Sequence, residues 1–282
     1  MISHAVPTEA VTVYNHALDL SSKGDYASAL TEYRKAIRLF PSFIQAYNNI
    51  GEIYSQMGER DQAISSYMEA LNIGKDSKVL LNLGVEYYNN RDYKKAMKYF
   101  SESLVLDASF LEGNFYMGLA HFNLKDQKSA EKHFARVIAS DRRHIKANYL
   151  LAHIYYDWKD YQRTLACLDN IRDIADDRCF VNRYYGFCYY HLGRFDEALT
   201  YLSEALQSSP AYARFRDYLK GLTYENKLKE IGDVDKKIRE MEEKLMREKP
   251  TLKEYTHLSM LYIFKGEYKK AENLLMTAKK KR

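Results

Sequence analysis

The sequence contains few of the residues that break or cross-link a chain. Its 282 residues include 4 Pro, 12 Gly and 3 Cys. So few turn formers exclude an all-β fold of many short strands and a collagen-like or low-complexity chain. Cys167, Cys179 and Cys188 are too few and too irregularly spaced for a disulfide framework or a CxxC metal site. We therefore expect reduced thiols and a cytoplasmic location.

Long apolar runs are also missing. No run approaches the ~18 residues of a membrane span, and residues 1–9 lack the basic and apolar regions of a secretory signal. A hydrophobic share of 46% still suffices for a core, and 29% charged residues are typical of a soluble protein. Tyrosine, by contrast, is abundant, with 26 residues.

The sequence repeats itself with a period of 33 or 34 residues. A small residue recurs at Ala17, Gly51, Gly84, Gly118, Ala152 and Gly186. A second column keeps the same spacing at Ala29, Ala63, Ala96, Ala130, Thr164 and Ala198. Two columns that share one period indicate an internal structural repeat.

Each repeat predicts two amphipathic helices. In residues 44–76, one apolar stripe precedes a break at Gly58 and a second follows it. Gly51 and Ala63 are expected where the two helix axes cross closely, and Tyr54 and Tyr67 are expected to fill the wider gaps. One helix pair cannot bury its own stripe, so the units must stack.

These residues resemble the tetratricopeptide repeat, a 34-residue pattern of bulky, small and aromatic positions. Residues 10–43 match it with Ala17, Leu20, Gly24, Tyr26, Ala29, Tyr33, Ala36 and Pro41. The resemblance implies an all-α fold, a right-handed superhelix (α-solenoid) of about eight helix-turn-helix repeats. Six regular units are expected within residues 1–212, at 10–43, 44–76, 77–110, 111–144, 145–178 and 179–212.

The C-terminal quarter departs from the pattern. Residues 213–251 lack the expected turn and Ala, and we predict a degenerate, elongated and charged helix pair there. Residues 252–282 are predicted to form a C-terminal unit with a basic tail. Two interpretations of the charged segment stay open: solvated helices, or an arm for partners or self-association through residues 227–249 or the C-terminal unit.

The resemblance also implies a functional face. In this family the first helix of each unit lines a concave groove, and aromatic residues fill many of the groove positions here. We expect apolar partner contacts from Phe115, Tyr149, Tyr156, Tyr184, Phe187 and Tyr218. The alternative is that these rings pack between adjacent first helices and expose one edge.

Asparagines recur on the same helices. Asn15, Asn49 and Asn82 occupy one groove position in successive units, and an amide offers a donor and an acceptor to a peptide backbone. We predict that they hold a bound peptide, although Asn is also common at that position of the repeat. A second column, Asn114, Asn148 and Asn182, replaces a bulky residue and is predicted to be buried.

Enzyme chemistry is not visible in the sequence. It has no metal-binding His pair, no nucleophile motif and no phosphate-binding loop, so we predict no catalytic residue, cofactor or metal. The function predicted is a protein-interaction scaffold or adaptor that binds a peptide or partner helix. Single-stranded RNA binding by the aromatic groove is the alternative, which the nearly cancelling groove charges disfavour.

Overall fold

The computed structural model describes residues 6–207, 233–247, 250–265 and 267–280. All regular elements in these ranges are α-helices, and none is a β-strand. No helix within these ranges combines the length and apolar character needed to cross a membrane. The chain divides into two compact units, Met1–Asp141 and Arg142–Arg282.

The first unit consists of four helix hairpins. Three of them lie inside the predicted repeats 44–76, 77–110 and 111–144, and the first begins at Thr8, before the predicted start of repeat 10–43. Their helices are α1 (Thr8–Ser22), α2 (Tyr26–Leu39), α3 (Ile44–Gln56), α4 (Arg60–Ile73), α5 (Ser77–Asn89), α6 (Tyr93–Leu106), α7 (Leu111–Asn123) and α8 (Gln127–Ser140). Three of the second helices begin at an aspartate N-cap. The carboxylates of Asp25, Asp92 and Asp126 accept backbone N–H groups at 3.1–3.2 Å, which fixes where α2, α6 and α8 begin.

The turn inside each hairpin contains one residue with positive φ. In this unit the residue is Gly24 (79°), Gly58 (79°), Arg91 (61°) or Lys125 (62°). Glycine adopts this conformation without strain, whereas a side chain at Arg91 or Lys125 makes it unfavourable. The turn geometry therefore persists even in the hairpins that have no glycine to favour it.

Small residues let the two helices of a hairpin approach each other closely. A Cβ atom placed on Gly118 would lie 2.6 Å from Cε1 of Phe134, and one on Gly51 would collide with the Tyr67 ring. Ala63 is fully buried beside them. The predicted close approach at Gly51 is confirmed. Tyr67 was expected in a wider gap, and this expectation is wrong, because its ring packs against Gly51 itself.

The second unit contains two further hairpins and three C-terminal helices in its described part. They are α9 (Ile145–Asp157), α10 (Tyr161–Asp169), α11 (Arg178–His191), α12 (Phe195–Gln207), α13 (Val234–Arg247), α14 (Leu252–Lys265) and α15 (Tyr268–Lys280). The hairpin of α14 and α15 packs against α12, and α14 also contacts α11.

Helix α10 is shorter than the repeat period predicts. It has 9 residues, whereas α12 has 13. The chain leaves the helix at Asn170, whose Nδ2 donates to Asn148 Oδ1 (2.9 Å) and whose Oδ1 accepts from Arg142 Nε (2.8 Å). Ile171 then inserts into the core with no exposed surface. These contacts stabilise a non-helical segment where a longer helix would continue.

Helix α13 belongs to the charged segment predicted at residues 213–251. Residues 208–232 and 248–249 of the chain lie outside the described residues. In α13, Ile238 is 5% exposed, and Asp235 and Lys244 form ion pairs with α14. Glu242 accepts a hydrogen bond from Tyr262 of α14. One face of α13 is therefore packed against the C-terminal hairpin.

Two of the asparagines predicted to be buried donate hydrogen bonds to backbone carbonyls of the loops between hairpins. Asn114 is 2% exposed and Asn148 is fully buried, which confirms the prediction for these two, whereas Asn182 is half-buried. Asn114 Nδ2 donates to the carbonyl oxygens of Ala108 and Phe110, both at 3.1 Å. A buried carbonyl oxygen needs a hydrogen-bond donor, and the side-chain amide supplies one. This explains why Asn occupies a position where the repeat usually has a bulky residue.

Candidate functional site

The predicted site residues of the first unit share one face. It is formed by α1, α3, α5 and α7, the first helices of the four hairpins, and we call it the first-helix face of this unit. Asn15 is exposed on α1, Asn49 and Asn82 are half-buried on α3 and α5, and Phe115 is 9% exposed on α7. Phe115 packs against the rings of Tyr116 and Phe134.

Asn49 links the first two hairpins. Its Nδ2 donates to the hydroxyl of Tyr14 (2.9 Å) on α1 and to that of Tyr33 (3.2 Å) on α2. Tyr14 in turn stacks on Phe43 with ring centroids 4.7 Å apart. Both N–H groups of Asn49 are thus used internally. Its oxygen accepts from Asn48 Nδ2 at 3.5 Å and keeps a second acceptor position for a ligand.

Asn82 links α5 to α3 in a similar way. Its Nδ2 donates to Asn48 Oδ1 (2.9 Å) and to Glu52 Oε1 (3.0 Å). Glu52 Oε1 also accepts from Asn48 Nδ2 (2.8 Å) and lies 3.0 Å from Lys78 Nζ. Glu52 Oε2 and Asn82 Oδ1 accept no hydrogen bond from the part of the chain that the structure describes.

The two phenols that bond to Asn49 have raised pKa values and stay neutral at ordinary pH. Burial raises the pKa of Tyr33 to about 12, although the hydrogen bond from Asn49 opposes the shift. Burial also raises the pKa of Tyr14, and the Asn49 bond and the charge of Lys78 partly offset it. The charges of this region are therefore those of Glu52 and Lys78, which lie beside the asparagines.

The predicted aromatic residues of the second unit form a packed layer. Tyr149 and Tyr156 lie on α9, and Tyr184 and Phe187 lie on α11, with 3–9% of each side chain exposed. Tyr156 meets Tyr184 edge to face with centroids 5.2 Å apart. Burial raises the pKa of Tyr149 and of Tyr156 above the usual range.

The packing of these rings limits which part of each ring a ligand could contact. The rings of α9 and α11 pack against one another, which agrees with the alternative that they lie between adjacent first helices and expose an edge. Tyr218 lies outside the described residues. Direct contact with these rings would therefore be made through their edges.

Sequence reasoning missed the partners of Asn82. Asn48 and Glu52 were visible as polar residues on the first helix of the second repeat, and Asn48 precedes Asn82 by 34 residues. That spacing was the available signal that the two amides meet. Among the described residues, no group of three His, Cys, Asp or Glu side chains is placed to hold a metal ion.

Helix hairpins that recur every 33 or 34 residues and cross at small residues define a helical-repeat protein. Family models agree with this class. A "TPR repeat" model matches residues 20–58, and a "Tetratricopeptide repeat" model matches residues 44–75 and 77–110. The chain belongs to the tetratricopeptide-repeat family, and the predicted all-α repeat fold is confirmed.

The second part of the chain matches a more specific model. Residues 123–205 match "Anaphase-promoting complex, cyclosome, subunit 3". A curated relative of that name from Schizosaccharomyces pombe is 29% identical over 110 residues, covering 38% of this chain and 16% of that protein. Photosystem I assembly protein Ycf3 from Synechococcus sp. (strain CC9311) is 34% identical over 83 residues, covering 28% and 48%. The chain spans less than half the length of either relative.

Solved structures share the fold. The pilF protein of Pseudomonas aeruginosa has a TM-score of 0.64 and 17% identity, covering 75% of this chain and 96% of that one. YrrB, titled "a TPR protein with an unusual peptide-binding site", has a TM-score of 0.50 and 26% identity, covering 61% and 89%. Relatives of this kind support a role in protein interaction.

Proposed function

We propose that this protein is a non-catalytic scaffold or adaptor that binds an extended peptide or partner helix along its first helices. The observation that carries the proposal is the network of Asn49 and Asn82. It joins α1, α3 and α5 into one polar face and uses the N–H groups of both amides internally, so that their oxygens keep acceptor positions. The relative YrrB, described by its title as having a peptide-binding site, supports the same role.

The proposed contacts fall into two groups. Asn15, Asn49 and Asn82 would accept hydrogen bonds from the peptide backbone. The aromatic edges of the predicted residues would provide apolar contact; these residues are Phe115, Tyr149, Tyr156, Tyr184, Phe187 and Tyr218. On α1, Val11 and Leu18 add apolar surface beside Asn15, with 36% and 41% of each side chain exposed.

The exposed residues of α1 give the sharpest test. Peptides would be selected from a random dodecamer phage library and measured by fluorescence polarisation against variants of the full chain. Leu18→Ser and Asn15→Ala should each weaken binding by about fivefold, the effect of losing about 1 kcal/mol of contact. Neither side chain is buried, so both variants should keep the helical circular dichroism spectrum.

A matched control lies on a second helix. Met68 on α4 is 48% exposed, outside the first-helix face, and Met68→Ser should change affinity by less than about twofold. Equal weakening by Leu18→Ser and Met68→Ser would contradict the proposal. A library that gives no saturable peptide would contradict it as well.

Salt dependence separates this function from RNA binding. Phosphate contacts make affinity fall steeply with salt. The exposed cation beside the asparagines, Lys78, is paired with Glu52 at 3.0 Å, so peptide affinity should change modestly with salt. A steep loss would favour the RNA alternative.

Two further proposals concern the whole protein. We propose a cytoplasmic location, supported by the buried thiols of Cys167, Cys179 and Cys188, which form no disulfide in the structure. Self-association through residues 227–249 or the C-terminal unit stays a prediction. In α13, Met246 is 86% exposed and is the side chain best placed for such a contact.

A further inference from the structure

Asn49 and Asn82 on the first-helix face of the first unit offer acceptors rather than donors to a ligand. Both N–H groups of Asn49 are bonded to tyrosine hydroxyls, and both of Asn82 are bonded to Asn48 and Glu52. An amide whose donors are used internally can accept hydrogen bonds but cannot recognise a carbonyl or a carboxylate. The part of the face around these two amides therefore favours a ligand that donates.

A carboxylate lies among these acceptors. Glu52 Oε1 is the common acceptor for Asn48, Asn82 and Lys78, and Oε2 has no partner among the described residues. The Glu52 side chain is 34% exposed, so the free oxygen is within reach of a ligand. Burial of the free oxygen would be unfavourable without a donor, which a bound cation supplies.

We infer that Glu52 Oε2, Asn82 Oδ1 and Asn49 Oδ1 form a subsite for an arginine side chain of the bound peptide. This inference rests on the proposed peptide-binding function. A guanidinium has five N–H donors in one plane and no acceptor, so it can serve a carboxylate and neighbouring amide oxygens at once. A single backbone N–H satisfies one acceptor and leaves the carboxylate charge unmatched.

Lys78 already pairs with the Glu52 carboxylate and would compete with an arginine for it. Its ammonium lies 3.0 Å from Glu52 Oε1, yet the Lys78 side chain is 61% exposed and has a flexible stem. An exposed pair of this kind contributes little to stability, so an arriving guanidinium can displace it or share the carboxylate. Removal of Lys78 should therefore strengthen arginine binding, whereas an acidic ligand would require Lys78.

The remaining charged group nearby is already paired. Glu86 on α5 is 4% exposed, accepts a hydrogen bond from Ser55 and lies 3.7 Å from Arg60 Nε. Its charge is thus used between α3, α4 and α5. Beside Asn48 and Asn82, Glu52 keeps an oxygen that accepts no hydrogen bond from the described residues.

The test uses two small probes on the full chain. N-acetyl-arginine methylamide and the citrulline analogue have the same shape, but citrulline is uncharged and has fewer donors. Protein labelled with 15N-asparagine reports binding through the side-chain amide signals of Asn49 and Asn82. The arginine probe should shift both signals in a saturable way at millimolar concentration, and the citrulline probe should shift them at least about fivefold more weakly.

Three variants make the test specific. Glu52→Gln keeps an oxygen for Asn48 and Asn82 but removes the charge, and it should weaken arginine binding at least about fivefold. Lys78→Ala should strengthen it about two- to fivefold. Glu112→Gln, on the exposed surface of α7, removes a carboxylate from the same face and should leave affinity within about twofold.

Several results would overturn the inference. Equal shifts by the two probes would show that charge is not recognised. Weaker arginine binding by Lys78→Ala would show that Lys78 supports the site and does not compete for Glu52. If selected peptides bind through Leu18 and Asn15 without any dependence on arginine or Glu52, the subsite is wrong and the proposed function stands. If the arginine probe binds at Glu52 but no peptide depends on Leu18 or Asn15, the proposed function is wrong.

Discussion

At the scale of single residues, the turn inside each hairpin is determined by backbone geometry more than by residue type. A residue with positive φ recurs in these turns at intervals of one repeat. The six residues are Gly24, Gly58, Arg91, Lys125, Lys159 and Gly193. Three of these are not glycine and have φ values of 61° or 62°. Their side chains crowd the backbone in this conformation, so the stacking of the helices must stabilise the turn.

A glycine at such a turn should stabilise the protein. Lys125→Gly removes the Cβ crowding at φ 62° and should raise the free energy of unfolding by ~0.5–1 kcal/mol. Lys132→Gly, on the exposed surface of α8, should instead lower it by ~1 kcal/mol, because glycine is unfavourable inside a helix. Urea denaturation measures both changes. A destabilised Lys125→Gly variant would show that the lysine side chain itself supports the turn.

The sequence predicted the packing residues better than the polar contacts. Gly118 has no side chain, which leaves room for the ring of Phe134. The repeat period identifies both residues. The bond from Asn82 to Glu52 depends on how far α5 is displaced from α3, and a sequence period does not specify that distance. For the same reason, the aromatic residues of α9 and α11 were identifiable on the first helices, but their burial was not.

At the scale of helices, the apolar stripe of α13 is compatible with packing inside the chain and with packing against a partner. Val234, Ile238, Met241 and Leu245 form a narrow apolar stripe flanked by charges, which suits a partner helix inside or outside the chain. In the structure, α14 is that partner: Ile238 is buried and ion pairs flank it. The choice depends on the distance between the two helices in the fold, which the local sequence does not contain.

Ile238 should therefore act as a core residue. Ile238→Ala should lower the free energy of unfolding by ~2–4 kcal/mol, because it leaves a cavity between α13 and α14. Met246→Ala, at 86% exposure on the same helix, should change it by less than ~0.5 kcal/mol. Thermal unfolding followed by circular dichroism compares the two. Equal, small effects would mean that α13 does not pack on α14 in solution.

At the scale of the whole molecule, two compact units predict unfolding in more than one step. Repeat proteins are stabilised by contacts between neighbouring hairpins, so separate parts of a chain can lose structure independently. Trp158 is the single tryptophan and lies in the second unit. Its fluorescence should therefore follow the second unit, while circular dichroism follows all helices.

A core substitution in each unit tests this. Phe100 and Leu168 are both fully buried, the first on α6 and the second on α10. Phe100→Ala should shift part of the circular dichroism transition to lower urea and leave the Trp158 transition nearly unchanged, since such a cavity costs ~3–5 kcal/mol. Leu168→Ala should shift the Trp158 transition. Coincident shifts of both signals by Phe100→Ala would mean that the chain unfolds as one cooperative body.

The buried tyrosines also set an upper pH limit for the fold. Unfolded phenols ionise near pH 10, whereas burial raises the pKa of Tyr33 to about 12 and that of Tyr67 and Tyr185 above the usual range. Such groups stabilise the fold fully below pH 10, and this stability is lost as pH rises through their folded pKa values. Alkali, rather than mild acid, should therefore denature this protein first. Phenolate absorbance at 295 nm would then rise over the same pH range as the loss of helix.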